Sequence, residues 1–387
     1  MNKFNSIFGQ LLTLFPRVQF EQFTVKTKAN KGIKGFPCWD HFVSMLFCQL
    51  GQAHSLREIC GGLSTALGRV VHLGIKAAPK RSTLAYANEH RSWELYKLLF
   101  FHLLEICQTQ FGSKHKFRFK NKLLSFDASL ISLCATMFEW AKYRQTKGAI
   151  KLHLLLDHAG YLPVFINITE GRKHEVKVFK TLTFDPGTII VFDRGLIDYT
   201  LWGRWCANGL FFVTRLKDNA DFKVIENRQV PRNRNIRLDQ VIKLDGFYSK
   251  EKCPYLLRRI QVWVDEKKEI IDFITNQLDF GATTIANIYK DRWQIEMFFK
   301  ALKQNLHVKT FVGTSANAVM IQIWTALIAI LILKYLKAKS KLKWSLSNLA
   351  AMLRMNLLVY KELWNWLDQP YYSSPPRPIA QQLAMAL

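Results

Sequence analysis

The sequence predicts a mixed α/β protein in which a sheet-containing core lies between two helical regions. Up to about residue 110, apolar side chains recur at helical spacing, most clearly over residues 93–106. From residue 123 the pattern changes to short apolar runs typical of strands, and helical spacing returns from about 282 to 368. Strands and helices that alternate in this way indicate a mixed sheet with helices packed against it.

The elements of the core follow from its apolar runs and the turns between them. A hairpin is predicted around residues 158–160, where His-Ala-Gly separates two apolar stretches. The run at 188–192 is continuously apolar, as expected of a strand that is buried on both faces. The predicted strands are 123–129, 150–157, 161–169, 188–192 and 210–214, and the predicted helices between them are 175–183 and 198–208.

Composition divides the rest of the chain. The segment after residue 216 is rich in Arg, Asn and Lys and carries short alternating runs, which predicts an insertion of antiparallel strands. The Pro/Ser-rich end of the chain predicts a flexible tail. The predicted parts are a helical, nucleic-acid-binding N-terminal domain (1–113), the first part of the core (114–216), the β-rich insertion (217–281), a helix that completes the core (282–310), a helical C-terminal region (311–369) and the tail (370–387).

The chain is strongly basic. Its 387 residues include 55 Lys and Arg against 29 Asp and Glu, which gives a formal net charge of +26. Such a chain repels itself unless it works with a polyanion, and nucleic acid is the commonest partner of this kind. On charge alone, a ribosomal-type protein or a membrane-surface protein is the alternative. Hydrophobic residues make up 49% of the chain, which excludes disorder for most of it.

The cysteines and the apolar runs bear on location. The seven cysteines are scattered and form no C-x-x-C pair, which argues against a disulfide framework or a zinc site and favours the cytoplasm. The N-terminus shows no signal-peptide pattern. The apolar run at 319–333 is shorter than the roughly 20 residues that cross a bilayer, so it predicts a buried core helix. Membrane association is the alternative for that run.

Two aspartates stand at strand ends of the predicted core. Asp127 lies in an otherwise apolar strand, where a carboxylate must be hydrogen-bonded or bind a cation. Asp193 follows the buried strand at 188–192, and α/β sheets place their active sites at the carboxyl ends of strands. Each aspartate alone also fits a structural role, in a hydrogen-bond network or at the start of a turn.

Residues 288–306 carry the most informative pattern. The spacing Y-x2-R-x3-E-x6-K places four polar residues within roughly 60° on one helical face, at about 100° per residue. These residues are Tyr289, Arg292, Glu296 and Lys303. A solvated face with ion pairs is the alternative, although Arg before Glu is the weaker orientation for such a pair. The mixture suits a surface that binds metal and contacts phosphate.

The same spacing resembles the signature of the insertion-sequence-four family of bacterial DDE transposases. The F-D-A-S at 126–129 and the D-R-G at 193–195 resemble that family's first two motifs, and the likeness extends over about residues 115–340. The first hundred residues resemble the helical N-terminal domain of a subgroup of these elements. The resemblance implies an RNase H-like catalytic core that a β-rich insertion interrupts before the last catalytic helix.

The resemblance implies that Asp127, Asp193 and Glu296 are the catalytic residues and the metal ligands. They would lie on the first strand, just after the fourth strand and on the late helix. Hard cations prefer carboxylate oxygens, so two Mg²⁺ ions are expected, with Mn²⁺ as a possible substitute. Two ions roughly 4 Å apart can serve both ends of an in-line phosphodiester displacement. The pair His174-Glu175 could join this metal shell, and a surface ion pair is its alternative.

The remaining implied sites concern DNA. Tyr289, Arg292 and Lys303 would contact the DNA of the transposon end, and Trp263, the tryptophan of the insertion, is the candidate for stabilising a flipped base. The expected partners are the terminal inverted repeats, target DNA and a second copy of the chain in a synaptic dimer. The expected reaction is water attack at the element end, followed by attack of the released 3′-hydroxyl on target DNA.

Two alternatives remain at the level of the sequence. The first is an RNase H-like DNA nuclease or resolvase that cleaves without strand transfer. The second is a non-catalytic DNA-binding derivative, against which the retention of all three carboxylates argues.

Overall fold

The computed structural model describes residues 5–33, 35–66, 69–111, 116–134, 138–144, 147–232, 235–266, 268–305 and 311–371. The predicted tail lies outside these residues from 372 onward, as does 306–310 at the end of the predicted late helix. The described strands form one sheet. They are β1 (Leu123–Cys134), β2 (Lys142–Arg144), β3 (Lys147–Asp157), β4 (Leu162–Glu170), β5 (Ile189–Val191), β6 (Phe211–Arg215), β7 (Phe222–Asn227), β8 (Ile236–Leu244), β9 (Leu256–Val264) and β10 (Glu269–Thr275).

Strand β1 lies at the centre of the core part of the sheet. It pairs antiparallel with β3 and parallel with β5. Strand β3 also pairs with β4 and with the short β2, and β6 lies parallel beside β5. The order β4-β3-β1-β5-β6, with three antiparallel strands followed by two parallel ones, confirms the predicted RNase H-like core.

The strands of the predicted insertion continue this sheet. Strand β10 pairs antiparallel with β6, and β9, β8 and β7 follow in turn, each antiparallel to its neighbour. The pairing of Thr275 on β10 with Val213 on β6 joins the two parts of the sheet. The β-rich region therefore extends the core along one edge, while the domain boundaries remain a prediction.

Helices cover both faces of the sheet. Helices α7 and α8 pack on one face, and α10 and α11 pack on the other. The helices are α1 (Ile7–Leu12), α2 (Arg17–Lys26), α3 (Cys38–Leu50), α4 (Leu56–Ser64), α5 (Arg81–His90), α6 (Glu94–Phe111), α7 (Glu175–Phe179), α8 (Tyr199–Ala207), α9 (Ser249–Lys252), α10 (Ala282–Asp291), α11 (Trp293–Asn305), α12 (Ala316–Lys339), α13 (Leu346–Asn356) and α14 (Leu363–Asp368).

Helix α12 contains the apolar run that the sequence analysis weighed as a membrane segment. By length and composition it is the one helix of the described chain that could cross a membrane. Its apolar window is 83% buried inside the protein, however, where it packs against α3, α5, α6 and α13. This packing confirms the interpretation of the run as a core helix that joins the N-terminal helices to the C-terminal region.

Candidate active site

The two aspartates lie side by side, Asp127 within β1 and Asp193 just after the end of the neighbouring parallel strand β5. Strands β1 and β5 pair with Ser125 opposite Val191, and Asp127 and Asp193 each lie two residues further along. Because side chains alternate along a strand, both aspartates lie on the sheet face that packs against α10. The sequence predicted a strand at each aspartate, although β1 runs on to Cys134, and the parallel register brings the two aspartates together.

The late helix is divided at Arg292. The expectation of one helix over 288–306 was wrong here, because α10 ends at Asp291 and α11 begins at Trp293. The Arg292 amide donates to the Tyr289 carbonyl at 3.1 Å, and the Ile295 amide donates to the Arg292 carbonyl at 3.0 Å. These bonds span three residues instead of four, which tightens the turn as in a 3₁₀-helix. The four signature residues are therefore distributed over two helices and the turn between them.

Arg292 connects two of the three carboxylates. Its Nη2 donates to Glu296 Oε1 at 2.7 Å, and its Nη1 lies 3.7 Å from Asp127 Oδ2. The guanidinium carbon also lies 5.4 Å from the centre of the Tyr289 ring. The Arg292 side chain is only 12% exposed, and its buried Nε has no hydrogen-bond partner. Arg292 therefore acts as the counter-ion of Asp127 and Glu296.

Tyr289 contacts the third carboxylate. Its hydroxyl donates to Asp193 Oδ1 at 3.3 Å, and its ring packs against Phe273 with centroids 4.7 Å apart. Burial raises the pKa of Tyr289 to about 12, with the charge of Asp193 adding to the effect and Arg292 opposing it. The phenol thus stays protonated at neutral pH and remains a hydrogen-bond donor to Asp193.

The buried charge of Asp127 is only partly compensated. Burial raises its pKa to about 6, and the negative charges of Glu175 and Glu296 act in the same direction. The Ala128 amide, which donates to Oδ1 at 2.8 Å, and the charge of Arg292 offset only part of this cost. Asp127 therefore lies where an additional cation would stabilise its ionised form.

A cleft opens between β1 and α11, with a volume of about 380 Å³. The carboxylates of Asp127 and Glu296 line this cleft. Lys303 also lies in its wall, where Nζ donates to Ser129 Oγ at 2.6 Å. The cleft is lined by Asp127, Ala128, Ser129, Glu296, Phe299, Lys300, Lys303 and Gln304. Carboxylates and lysines thus share one groove, as binding of metal together with a phosphate backbone requires.

The carboxylates suit a hard cation only after a local rearrangement. Within the described ranges, no three His, Cys, Asp or Glu side chains are grouped around one metal position. The physical reason is Arg292, whose guanidinium lies between Asp127 and Glu296. The donor set consists of carboxylate oxygens, which are the ligands that Mg²⁺ and Mn²⁺ prefer. A cation that displaced Arg292 would also compensate the buried charge of Asp127.

Two predicted candidates are held elsewhere. Trp263 lies on β9, where its indole N–H donates to Asp265 at 2.8 Å and Arg237 stacks above its ring at 5.9 Å. In the described structure, none of the contacts of Trp263 involves Asp127, Asp193 or Glu296. Glu175 pairs with Lys151 at 3.2 Å, although its charge still reaches Asp127.

Sequence reasoning missed Asp291, the residue before Arg292. It lies fully buried on the stripe that Ile288 and Ile295 define by helical spacing. A carboxylate at such a position on an apolar stripe is a signal that the sequence contained. It accepts hydrogen bonds from His158 and Lys116 beneath the site.

The strand order and the adjacent aspartates on its parallel strands define a protein built on an RNase H-like core. A family model described as "Transposase DDE domain" matches residues 118–332, which is more than half of the chain. The chain belongs to this family, whose members bind DNA and use divalent metal ions. A second model, a domain of unknown function, matches residues 3–76.

Curated relatives carry the same family name. The chain is 30% identical over 207 residues to a putative transposase of Sinorhizobium fredii, covering 50% of this chain and 55% of the relative. It is 28% identical over 263 residues to a probable insertion-sequence transposase of Geobacillus stearothermophilus, covering 67% and 68%. A putative insertion-sequence transposase of Synechocystis is 28% identical over 224 residues, covering 56% and 60%. The matches thus span 55 to 68% of these relatives' lengths.

Among solved structures, the chain is similar to a piggyBac transposase synaptic complex with hairpin DNA. The similarity has a TM-score of 0.46 at 11% identity, covering 91% of this chain and 78% of the other.

Proposed function

We propose that the chain is the transposase of a bacterial insertion sequence, which cleaves the ends of its element and joins them to target DNA. The observation that carries this proposal is the register of β1 and β5. It sets Asp127 beside Asp193, while Glu296 is linked to Asp127 through Arg292. Asp127 and Glu296 thus line a cleft that also contains lysines, and Asp193 lies beside Asp127 on the same face of the sheet.

Asp127, Asp193 and Glu296 would hold two Mg²⁺ ions, for which Mn²⁺ can substitute. When bound, the ions supply activation of the attacking oxygen and stabilisation of the leaving alkoxide. The carboxylates orient the site, and Arg292, once released from Asp127 and Glu296, turns its guanidinium to a DNA phosphate. Tyr289 keeps Asp193 in place through its hydroxyl and does not act as a nucleophile, because its pKa is about 12.

The DNA path is proposed from the distribution of cations. Lys303 and Lys300 lie in the cleft wall, where they can contact phosphates of the element end. In the segment before β1, Arg118, Lys120 and Lys122 are exposed, and they form no ion pair with any described carboxylate. Exposed cations in the segment that leads into β1 favour binding of a polyanionic backbone.

Two further assignments complete the proposal. Two copies of the chain would act together, since two element ends must be held for one insertion event. The reaction would take place in the bacterial cytoplasm, where the element and its target DNA lie. The insertion-sequence-four assignment within the DDE family rests on the Y-R-E-K spacing.

The test is a strand-transfer assay with purified protein, linear element ends, supercoiled target plasmid and Mg²⁺ or Mn²⁺. Asp127→Ala, Asp193→Ala and Glu296→Ala should each reduce joining by at least roughly 10²–10³-fold, because each removes charge stabilisation from the reacting centre. The matched control is Glu226→Ala, which removes a carboxylate that is 60% exposed on β7 and should leave joining unchanged.

The possible outcomes separate the candidate functions. Joined products that depend on the element end support a transposase. Cleavage without joining would favour an RNase H-like nuclease or resolvase, and DNA binding without either reaction would favour a non-catalytic derivative. Near wild-type joining by any one of the three alanine variants would show that the carboxylate assignment is wrong.

A further inference from the structure

A buried chain of hydrogen bonds lies directly beneath the candidate active site. Ser125 Oγ lies 2.6 Å from His158 Nε2, and His158 Nδ1 lies 2.6 Å from Asp291 Oδ2. Ser125 is inaccessible to solvent, and His158 and Asp291 are 4% and 2% exposed. This chain, named here the Ser125–His158–Asp291 relay, connects β1, the β3–β4 turn and the end of α10.

Asp291 is fully compensated in this relay. Besides His158, its carboxylate accepts hydrogen bonds from Lys116 Nζ at 2.5 Å and from the Tyr161 hydroxyl at 3.1 Å. Burial opposes its ionisation, but the hydrogen bonds from His158 and Lys116 outweigh burial, so the pKa of Asp291 lies below its usual value. The relay therefore ends on a stable carboxylate that is fixed from three sides.

The residue types resemble a nucleophilic Ser–His–Asp triad, but their position excludes that role. Ser125 has no exposed surface, and the cleft is lined by residues of β1 from Asp127 onward. A nucleophile must reach a substrate atom, and this hydroxyl lies inside the core. The relay must therefore act on its neighbours.

Those neighbours are the site residues themselves. Ser125 and Asp127 are two residues apart on the same face of β1, which corresponds to roughly 7 Å along a strand. Asp291 and Arg292 are adjacent at the joint between α10 and α11. The relay thus connects β1, at Ser125, to the joint between α10 and α11. The ion pair between Arg292 and Asp127 connects the same two elements a second time, nearer the cleft.

We propose that Asp291 is a positioning residue, which the relay holds so that Arg292 faces Asp127 and Glu296 across the joint between α10 and α11. This inference rests on the proposed function for its catalytic readout. Without the Asp291 carboxylate, the end of α10 loses its attachment to β1, and the tight turn at Arg292 is no longer fixed against the sheet. Arg292 then samples other directions, and the distance between Glu296 and Asp127 is no longer defined.

The test compares the full-length protein with Asp291→Asn, Arg292→Gln and the double variant. Joining rate at saturating end DNA, Kd for a duplex carrying the end, and Tm are measured for each. Asp291→Asn should lower the joining rate by about 10- to 100-fold, as expected for a group that orients site residues, and change Kd by less than about threefold. The double variant should be within about twofold of Arg292→Gln alone, because both changes remove the same positioning.

The matched control is Asp239→Asn. Asp239 is 3% exposed and binds Arg258 through both oxygens, at 2.8 and 2.7 Å, in the extended part of the sheet. This variant should lower Tm while leaving the joining rate of the folded protein unchanged. If Asp239→Asn lowers the rate as much as Asp291→Asn, or if the rate losses of Asp291→Asn and Arg292→Gln multiply, the positioning role is refuted.

Two further measurements keep the inference testable. If Asp291→Asn does not fold, Ser125→Ala is used instead, because it removes one hydroxyl at the other end of the relay. It should lower the joining rate, and its rate loss should not add to that of Arg292→Gln; an unchanged rate would refute the role.

If the wild-type protein joins no DNA, the proposed function fails by itself. The relay is then tested by Tm alone: the coupling between Asp127→Asn and Arg292→Gln should vanish in the Asp291→Asn background, and its persistence would refute the inference.

Discussion

Asp127 and Asp291 are two largely buried carboxylates that lie against the same arginine turn, yet their surroundings differ in kind. Asp291 has three side-chain donors, two of which can carry positive charge, and its pKa is lowered. Asp127 has one backbone amide within hydrogen-bond distance and Arg292 at 3.7 Å, and its pKa is raised to about 6. The fold thus satisfies one carboxylate and leaves the other incompletely compensated.

This difference separates a carboxylate whose partners lie within the fold from one that can accept a further cation, without reference to relatives. A group that only holds the fold together is surrounded by its own partners, because an unpaired buried charge is costly. A group that awaits a ligand keeps part of that cost in the free protein. By this criterion we expect Asp127 to bind a ligand, whereas Asp291, like Asp239 with Arg258, has its partners within the fold.

The comparison predicts stability changes of opposite sign, and this is the largest expected effect. Asp291→Asn should destabilise the metal-free protein by about 3–5 kcal/mol, since breaking a buried pair leaves uncompensated partners. Asp127→Asn should stabilise it by about 1–3 kcal/mol, because it removes a poorly compensated buried charge. Urea unfolding at pH 7.5 in EDTA measures both, and Glu226→Ala serves as the control. If Asp127→Asn were as destabilising as Asp291→Asn, the distinction between the two sites would be lost.

A second prediction concerns pH. The pKa of Asp127 rises from about 3.8 in the unfolded chain to about 6 in the folded protein, so the folded state binds more protons than the unfolded state between these pH values. Its contribution to the free energy of unfolding is therefore retained below pH 4 and falls as pH increases to 6, by at most about 3 kcal/mol. The metal-free wild type should lose stability relative to Asp127→Asn between pH 4 and 7. A constant difference between the two proteins over this range would contradict the raised pKa.

The smallest expected effect is a change in Mn²⁺ affinity, which tests whether Arg292 competes with a metal ion. If its guanidinium occupies the place of a cation, Arg292→Gln should tighten Mn²⁺ binding to the DNA-free protein on the order of tenfold, since a charge-assisted hydrogen bond contributes about 1.5–3 kcal/mol. The same variant should bind end DNA more weakly. Calorimetric titration with Mn²⁺ gives the first quantity, and Arg259→Gln, which removes an arginine paired with Asp272 in the extended part of the sheet, is the control. Weaker Mn²⁺ binding by Arg292→Gln would show that Arg292 supports the metal site and does not compete with it.

The sequence predicted a DDE transposase with an RNase H-like core, and both are confirmed, while the insertion-sequence-four assignment stays a prediction. Apolar runs locate strands well because burial on both faces leaves little choice of residue. The spacing around Glu296 did not reveal the break at Arg292, where two backbone hydrogen bonds span three residues instead of four. The relay through His158 was invisible because it joins residues far apart in the chain, whereas the buried position of Asp291 on an apolar stripe could have been noticed. The roles of the site residues remain predictions.

The continuous sheet also has a consequence for biosynthesis. Asp193 emerges from the ribosome long before Glu296, since the strands β7 to β10 and helix α10 lie between them in the chain. At about 5–20 residues per second, this separation corresponds to on the order of 5–20 s of translation. During that interval the nascent chain carries the two aspartates but neither Arg292 nor Glu296. The catalytic centre is therefore completed only after the whole edge of the sheet has been made, which delays any reaction with nearby DNA.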